Sequence, residues 1–280
     1  MALSSLGSRL VACLLNVSEA RRKDLVETVA KAALYNAEGV RREGTTVLNI
    51  FNDHDYNRSV ITIVASIDSI SSALAEGLTE RVQGTSAFLF GWADSPLQRG
   101  LAQRRKEMGW FKKTPDMQAI RPDMGPQPQK QFGLTGVGAS PYVMNCNVTI
   151  DTQDMAMGRS IAAAIRESAP GGLPGVQVLA LPHQGAVEIA CNVESVKGSP
   201  TGDTSAGEPW PCFSIGGQLY CHAPASLITA RVAELAERQG VRAMGTALVG
   251  FTPCECRGLA ELALSREIAE FWKVQGRIRM

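Results

Sequence analysis

The chain has 280 residues, 45% of them apolar, and a formal net charge of +1. That length suits two modest domains or one domain of two similar halves. A near-neutral balance offers no electrostatic footprint for nucleic acid, and no window holds the roughly 20 apolar residues that cross a bilayer, so neither nucleic acid nor a membrane is expected as a partner.

The Ser-rich start has one Arg and no acid in residues 1–10, as in a weak targeting peptide. The apolar run at 10–15 is too short for a secretory core and reads as a first strand, 10–17. A helix over 22–35 follows, with Leu25, Val26, Val29, Ala32 and Ala33 on one face. Strands are expected at 45–51 and 59–65, a helix at 70–82 and a strand at 87–92. Ser95, Pro96 and Gln98 have capping-box spacing, predicting a helix from there to 108. Three glycines between 133 and 138 permit close backbone approach; the run reads either as a linker or as a turn presenting N–H groups to a flat ligand.

The order then repeats. A strand at 141–150 leads to a helix at 154–167, closed by Gly171 and Gly172. A hairpin pairs 176–181 with 187–193, and Val187, Ile189, Cys191 and Val193 share one face. The Gly/Ser/Pro-rich stretch 194–223 reads as tolerated surface loop. A helix at 225–239, a strand at 243–251 and a helix to 273 complete the chain, the last opened by a Thr252/Glu255 capping box. Two successive βαββαβ units predict an α+β protein of two ferredoxin-like halves packed with a cleft between them. The boundary falls in 115–138, giving domains 1–138 and 139–280.

Seven cysteines at irregular spacing favour free thiols, a reducing compartment and hence a cytoplasmic location. Cys254 and Cys256 lack zinc-knuckle spacing, so no metal is expected. His183, at the tip side of the hairpin, is the side chain most easily tuned for acid–base work, or else an exposed, idle histidine; His54 and His222 face the same bland alternative. The segment from Asp53 to Arg58 is either a polar turn or a ligand-binding one, with Arg58 making a bidentate contact. The Arg104–Lys106 cluster reads as a solvated face.

Several segments resemble the formiminotransferase family. Ala12–Ala20 is similar to its N-terminal strand-into-helix motif, Asp55–Arg58 to its Asn-Arg turn, and Phe88–Gly91 to an aromatic strand ending in glycine; Gly133–Val148 and Thr246–Pro253 resemble its second subdomain. The resemblance implies transfer of a formimino group from N-formimino-glutamate to N5 of tetrahydrofolate, which serves as substrate. It implies a folate loop at Gly125, Pro126, Gln127, Pro128, Gln129, Lys130, Gln131, Phe132 and Gly133, with Asn57 and Arg58 as further folate contacts. A homodimer is one assembly such a chain could form. The family's catalytic His-Pro motif has no counterpart: residues 72–77 run directly into 78–83, and none of the three histidines precedes a proline. His183 is then the one remaining candidate for proton transfer. The alternative is a non-catalytic regulatory or partner-binding protein on the same scaffold.

Overall fold

The computed structural model describes residues 10–36, 38–66, 84–109, 116, 118–131, 133–198 and 210–274. The helix expected at 70–82 lies outside them. The chain divides into two compact units, one built from 1–65 and 141–280 and the other from 66–140.

In the first unit, β1 (Leu10–Val17), α1 (Lys23–Leu34), β2 (Thr45–Asp53) and β3 (Arg58–Ser66) form a three-stranded sheet in the order β1-β3-β2. The helical spacing of Val26, Ala30 and Leu34 buries all three against Val47, Ile61 and Ile63. Neighbouring strand residues point the other way. Thus Leu48 and Val64 bury against Phe251 and against Cys256, Ala260 and Ala263 of α5 (Pro253–Ser265). The amphipathic C-terminal helix α5 supplies the apolar surface that this part of the face needs.

The second sheet contains β6 (Val143–Ile150), β7 (Val176–His183), β8 (Ala186–Glu194) and β12 (Ala243–Leu248) in the order β12-β6-β8-β7, with every pairing antiparallel. Alternation puts Met144, Cys146, Val148 and Ile150 of β6 into a core with α3 (Met155–Ile165) and α4 (Ala225–Glu237), where Ile161, Ile165, Ile228 and Val232 are fully buried. The opposite face carries Asn145, Asn147 and Thr149, each half-buried. Asp154 caps α3 by accepting from the N–H groups of Ala156 and Met157. The capping box of Thr252 and Glu255 forms as expected, but its helix stops at Ser265 and a separate turn, α6 (Phe271–Val274), follows.

The stretch 194–223 holds more order than a surface loop. Strands β9 (Val196–Lys197), β10 (Cys212–Ile215) and β11 (Gln218–Cys221) form a small sheet in the order β10-β11-β9. Cys212 and Cys221 face each other in register and are disulfide-bonded, so two of the seven thiols expected to be free are not. His222, expected at the surface, is 1% exposed, and burial lowers its pKa.

In the second unit, β4 (Ala87–Gly91) pairs in parallel with β5 (Thr135–Ala139). Most of the glycine run, from Thr135 on, is therefore a strand. Gly136 and Gly138 lie in it and are required by aromatic neighbours, whereas Gly133 precedes it at φ +69° with open space: a Cβ on Gly136 would come within 2.7 Å of the Phe88 ring, which is itself 1% exposed. Gly136→Ala is expected to destabilise this unit by about 1–3 kcal/mol through overpacking, read as a lower urea midpoint.

The helix expected from Ser95 begins later, as α2 (Leu101–Glu107) with Gly100 at its N-cap. Residues 95–100 form a turn around Asp94, whose carboxylate takes the Arg99 guanidinium at 2.8 and 2.9 Å. Arg99 holds the Asp94 carboxyl down at about 2. Nor is the 104–106 cluster wholly solvated. Arg104 is buried, donates to the Leu89 carbonyl and pairs with Asp123 and Glu107.

Candidate functional site

The first unit brings two turns together. The β2–β3 turn carries Asp53, His54, Asp55 and Tyr56; the β7–β8 turn is the two-residue Gln184-Gly185 connection, both residues at positive φ. The Asp55 carboxylate accepts the Gln184 N–H at 2.8 Å and locks one turn to the other. With Arg21 they line an open groove of about 370 Å³.

His183 is the centre of this site. Its Nε2 lies 2.8 Å from the Asp53 carboxylate, and its Nδ1 lies 3.7 Å from the Glu188 carboxyl. The Tyr56 ring stacks on the imidazole with centroids 4.9 Å apart, and the Tyr56 hydroxyl donates to Glu188 at 3.2 Å. Asp53 also accepts the Tyr56 N–H at 2.9 Å, so the carboxylate that orients the imidazole shapes the turn as well. With Asp53 accepting, the Nε2 position carries the proton. Nδ1 remains as the nitrogen without a partner at hydrogen-bonding distance, the one able to take or give a proton.

Glu188 is 5% exposed. Burial raises its pKa, with the nearby Asp53 adding to the rise, while His183, Tyr56 and Asn147 oppose it. Burial and the neighbouring carboxylates raise the Tyr56 phenol as well, which keeps it a hydrogen-bond donor. The linkage has a defined sign. A carboxyl whose folded pKa is raised stabilises the fold fully below its unfolded pKa, about 4.3, and this contribution is lost as pH rises through the folded value. Glu188→Gln is therefore expected to melt higher than the wild type at pH 7, with the difference shrinking towards pH 4. Thermal unfolding at the two pH values checks it.

The other expected site residues are placed differently. Asn57, at positive φ, turns its amide oxygen to accept the Ala20 N–H at 3.0 Å, and Arg58 donates to the Ser18 hydroxyl. Both brace the segment that ends β1. Residues 125–133 belong to the second unit. There Ser86 donates to the Pro126 carbonyl at 2.6 Å, Gln127 donates to the Ile120 carbonyl at 2.9 Å, Pro128 is buried, and the Gly133 N–H returns to Gln129 at 2.7 Å. Gly125 has φ +80°, and a Cβ there would meet the Thr85 carbonyl oxygen at 2.3 Å. Gln129, Lys130 and Gln131 are exposed, and Phe132 lies outside the described residues.

Sequence reasoning left out Asp53, Tyr56 and Glu188 as partners of His183. A signal for Glu188 was available. A two-residue loop pairs His183 with Ala186, which puts Glu188 diagonally across on the same face. Among the described residues, no set of His, Cys, Asp or Glu is clustered as metal ligands, and no helix is long and apolar enough to cross a membrane.

A histidine held by one carboxylate beside a protonatable second one is an arrangement for moving a proton during group transfer. Comparison with known proteins shows what the chain is similar to. A family described as the formiminotransferase domain, N-terminal subdomain, matches residues 10–83 and 69–140. A formiminotransferase cyclodeaminase-like protein of Arabidopsis thaliana is 29% identical over 201 residues, covering 67% of each chain. A glutamate formimidoyltransferase of Thermoplasma acidophilum is 26% identical over 245 residues, covering 68% of this chain and 78% of the relative. The chain is a relative of the formiminotransferase family.

Proposed function

We propose that this protein binds tetrahydrofolate and transfers to it the formimino group of N-formimino-glutamate, with His183 moving the proton. The observation that carries the reading is the 2.8 Å contact between His183 and Asp53 at the groove of the first unit. In the transfer, N5 of tetrahydrofolate bonds to the amidine carbon and the bond from that carbon to the glutamate nitrogen breaks. The N5 proton ends on the departing amine. His183 Nδ1 accepts the first proton and returns one to the amine, while the Asp53 carboxylate, 2.8 Å from Nε2, holds the ring in place.

In this reading the folate loop is 125–133, with Asn57 and Arg58 as additional contacts. The family's His-Pro segment is missing between 77 and 78. The subdomain boundary at 138/139 is supported by the end of the N-terminal match at residue 140. Two ferredoxin-like halves are supported by the β12-β6-β8-β7 order in one and by β1-β3-β2 in the other. Five unpaired cysteines fit a cytoplasmic location, and the Cys212–Cys221 disulfide speaks against it.

Calorimetric titration with tetrahydrofolate tests the binding half of the proposal. Saturable binding at micromolar to millimolar ligand is expected. No binding at millimolar tetrahydrofolate would sink the folate reading and leave a non-catalytic partner-binding role.

A further inference from the structure

We infer that the groove in the first unit is the seat of the small donor, a dipolar amino-acid derivative that carries a cationic amidine at one end and carboxylate at the other. This rests on the proposed function and assigns one of its two substrates to named residues. The groove has a charge pattern. Its lining includes the Asp55 carboxylate, His183 with its Asp53 partner, and the Arg21 guanidinium.

Arg21 is presented by its neighbour Glu19. That carboxylate accepts the backbone N–H of both Arg21 and Arg22, at 2.9 and 3.2 Å, and pairs its charge with the Arg22 side chain. Among the described residues, the Arg21 guanidinium makes one long contact, 3.4 Å to the His54 carbonyl. It keeps donors to offer a carboxylate, in the planar fork that suits one. Asp55 spends one oxygen on the Gln184 N–H, and its charge and second oxygen are left for an amidinium. The two charged ends would bracket the reacting carbon beside His183.

A flat heterocycle fits this groove poorly. Its aromatic side chain, Tyr56, already has the His183 ring stacked on it, and Pro182 adds little apolar surface. The charge pattern therefore suits the zwitterion, with the pterin N5 reaching His183 at the mouth of the groove.

The test is calorimetry on the full chain, titrating N-formimino-L-glutamate and tetrahydrofolate separately into wild type, Arg21→Gln, Arg21→Lys and Asp55→Asn. A charge-assisted contact of this kind is worth about tenfold or more in affinity. Arg21→Gln and Asp55→Asn should each weaken the donor at least about tenfold and leave tetrahydrofolate within about twofold; Arg21→Lys should recover part of the loss. Melting curves matching wild type would exclude misfolding. Donor affinity unchanged in Arg21→Gln, or an equal loss for both ligands, overturns the assignment while the proposed function stands. Wild type that binds neither ligand overturns both.

Discussion

His183→Ala is expected to lower formimino transfer by about 10²–10⁴-fold, the usual contribution of a positioned acid–base group. The expectation rests on three contacts made by one ring: Asp53 on Nε2, Glu188 near Nδ1 and Tyr56 across its face. The loss should fall on kcat with KM for tetrahydrofolate little changed, because the imidazole acts on the proton in flight. Asp53→Asn should give a smaller drop, since an amide still fills the space but holds the ring at Nε2 less firmly than the carboxylate. A transfer rate that His183→Ala leaves intact would remove His183 from the mechanism.

The second large effect concerns stability. Ile189→Ala should cost about 2–5 kcal/mol, the range for emptying a packed aliphatic site. Ile189 is fully buried in the middle of β8, between β6 and β7, in the core shared with α3 and α4. The consequence reaches the groove, because Glu188 is the adjacent residue and points to the opposite face. Denaturant unfolding of the variant measures the cost. A loss under about 1 kcal/mol would mean that this core repacks far more freely than its burial indicates.

Much of the fold was legible because strands and helices here bury strongly periodic faces. The alternation of β8 and the 3.6-residue stripe of α1 each identify an element directly. The failures have physical causes. Gly136 and Gly138 looked like a flexible turn, yet they are strand residues left small by the Phe88 and Phe90 rings of the neighbouring strand. Such a requirement depends on a partner 48 residues away in register, which local pattern does not contain. The Ser95 capping box was lost to Asp94, whose two bonds to Arg99 hold the preceding turn. Cys212 and Cys221 looked unpaired until a hairpin register set them opposite each other.

The site followed the same division. His183 and the polar turn at 53–58 each carried a residue-level signal, but their meeting was not visible, because it depends on two hairpins from distant parts of the chain. Glu188 is the instructive omission. It sits between buried Val187 and Ile189, where alternation assigns it to the solvent side; the Tyr56 hydroxyl and the hairpin turn cover it there.

The most direct test of the account is formimino transfer from N-formimino-L-glutamate to tetrahydrofolate by the purified wild-type chain, followed alongside His183→Ala. The account predicts 5-formimino-tetrahydrofolate formed by wild type at a rate at least about 10²-fold above the variant. Wild-type protein that binds both substrates and forms product no faster than His183→Ala would contradict it.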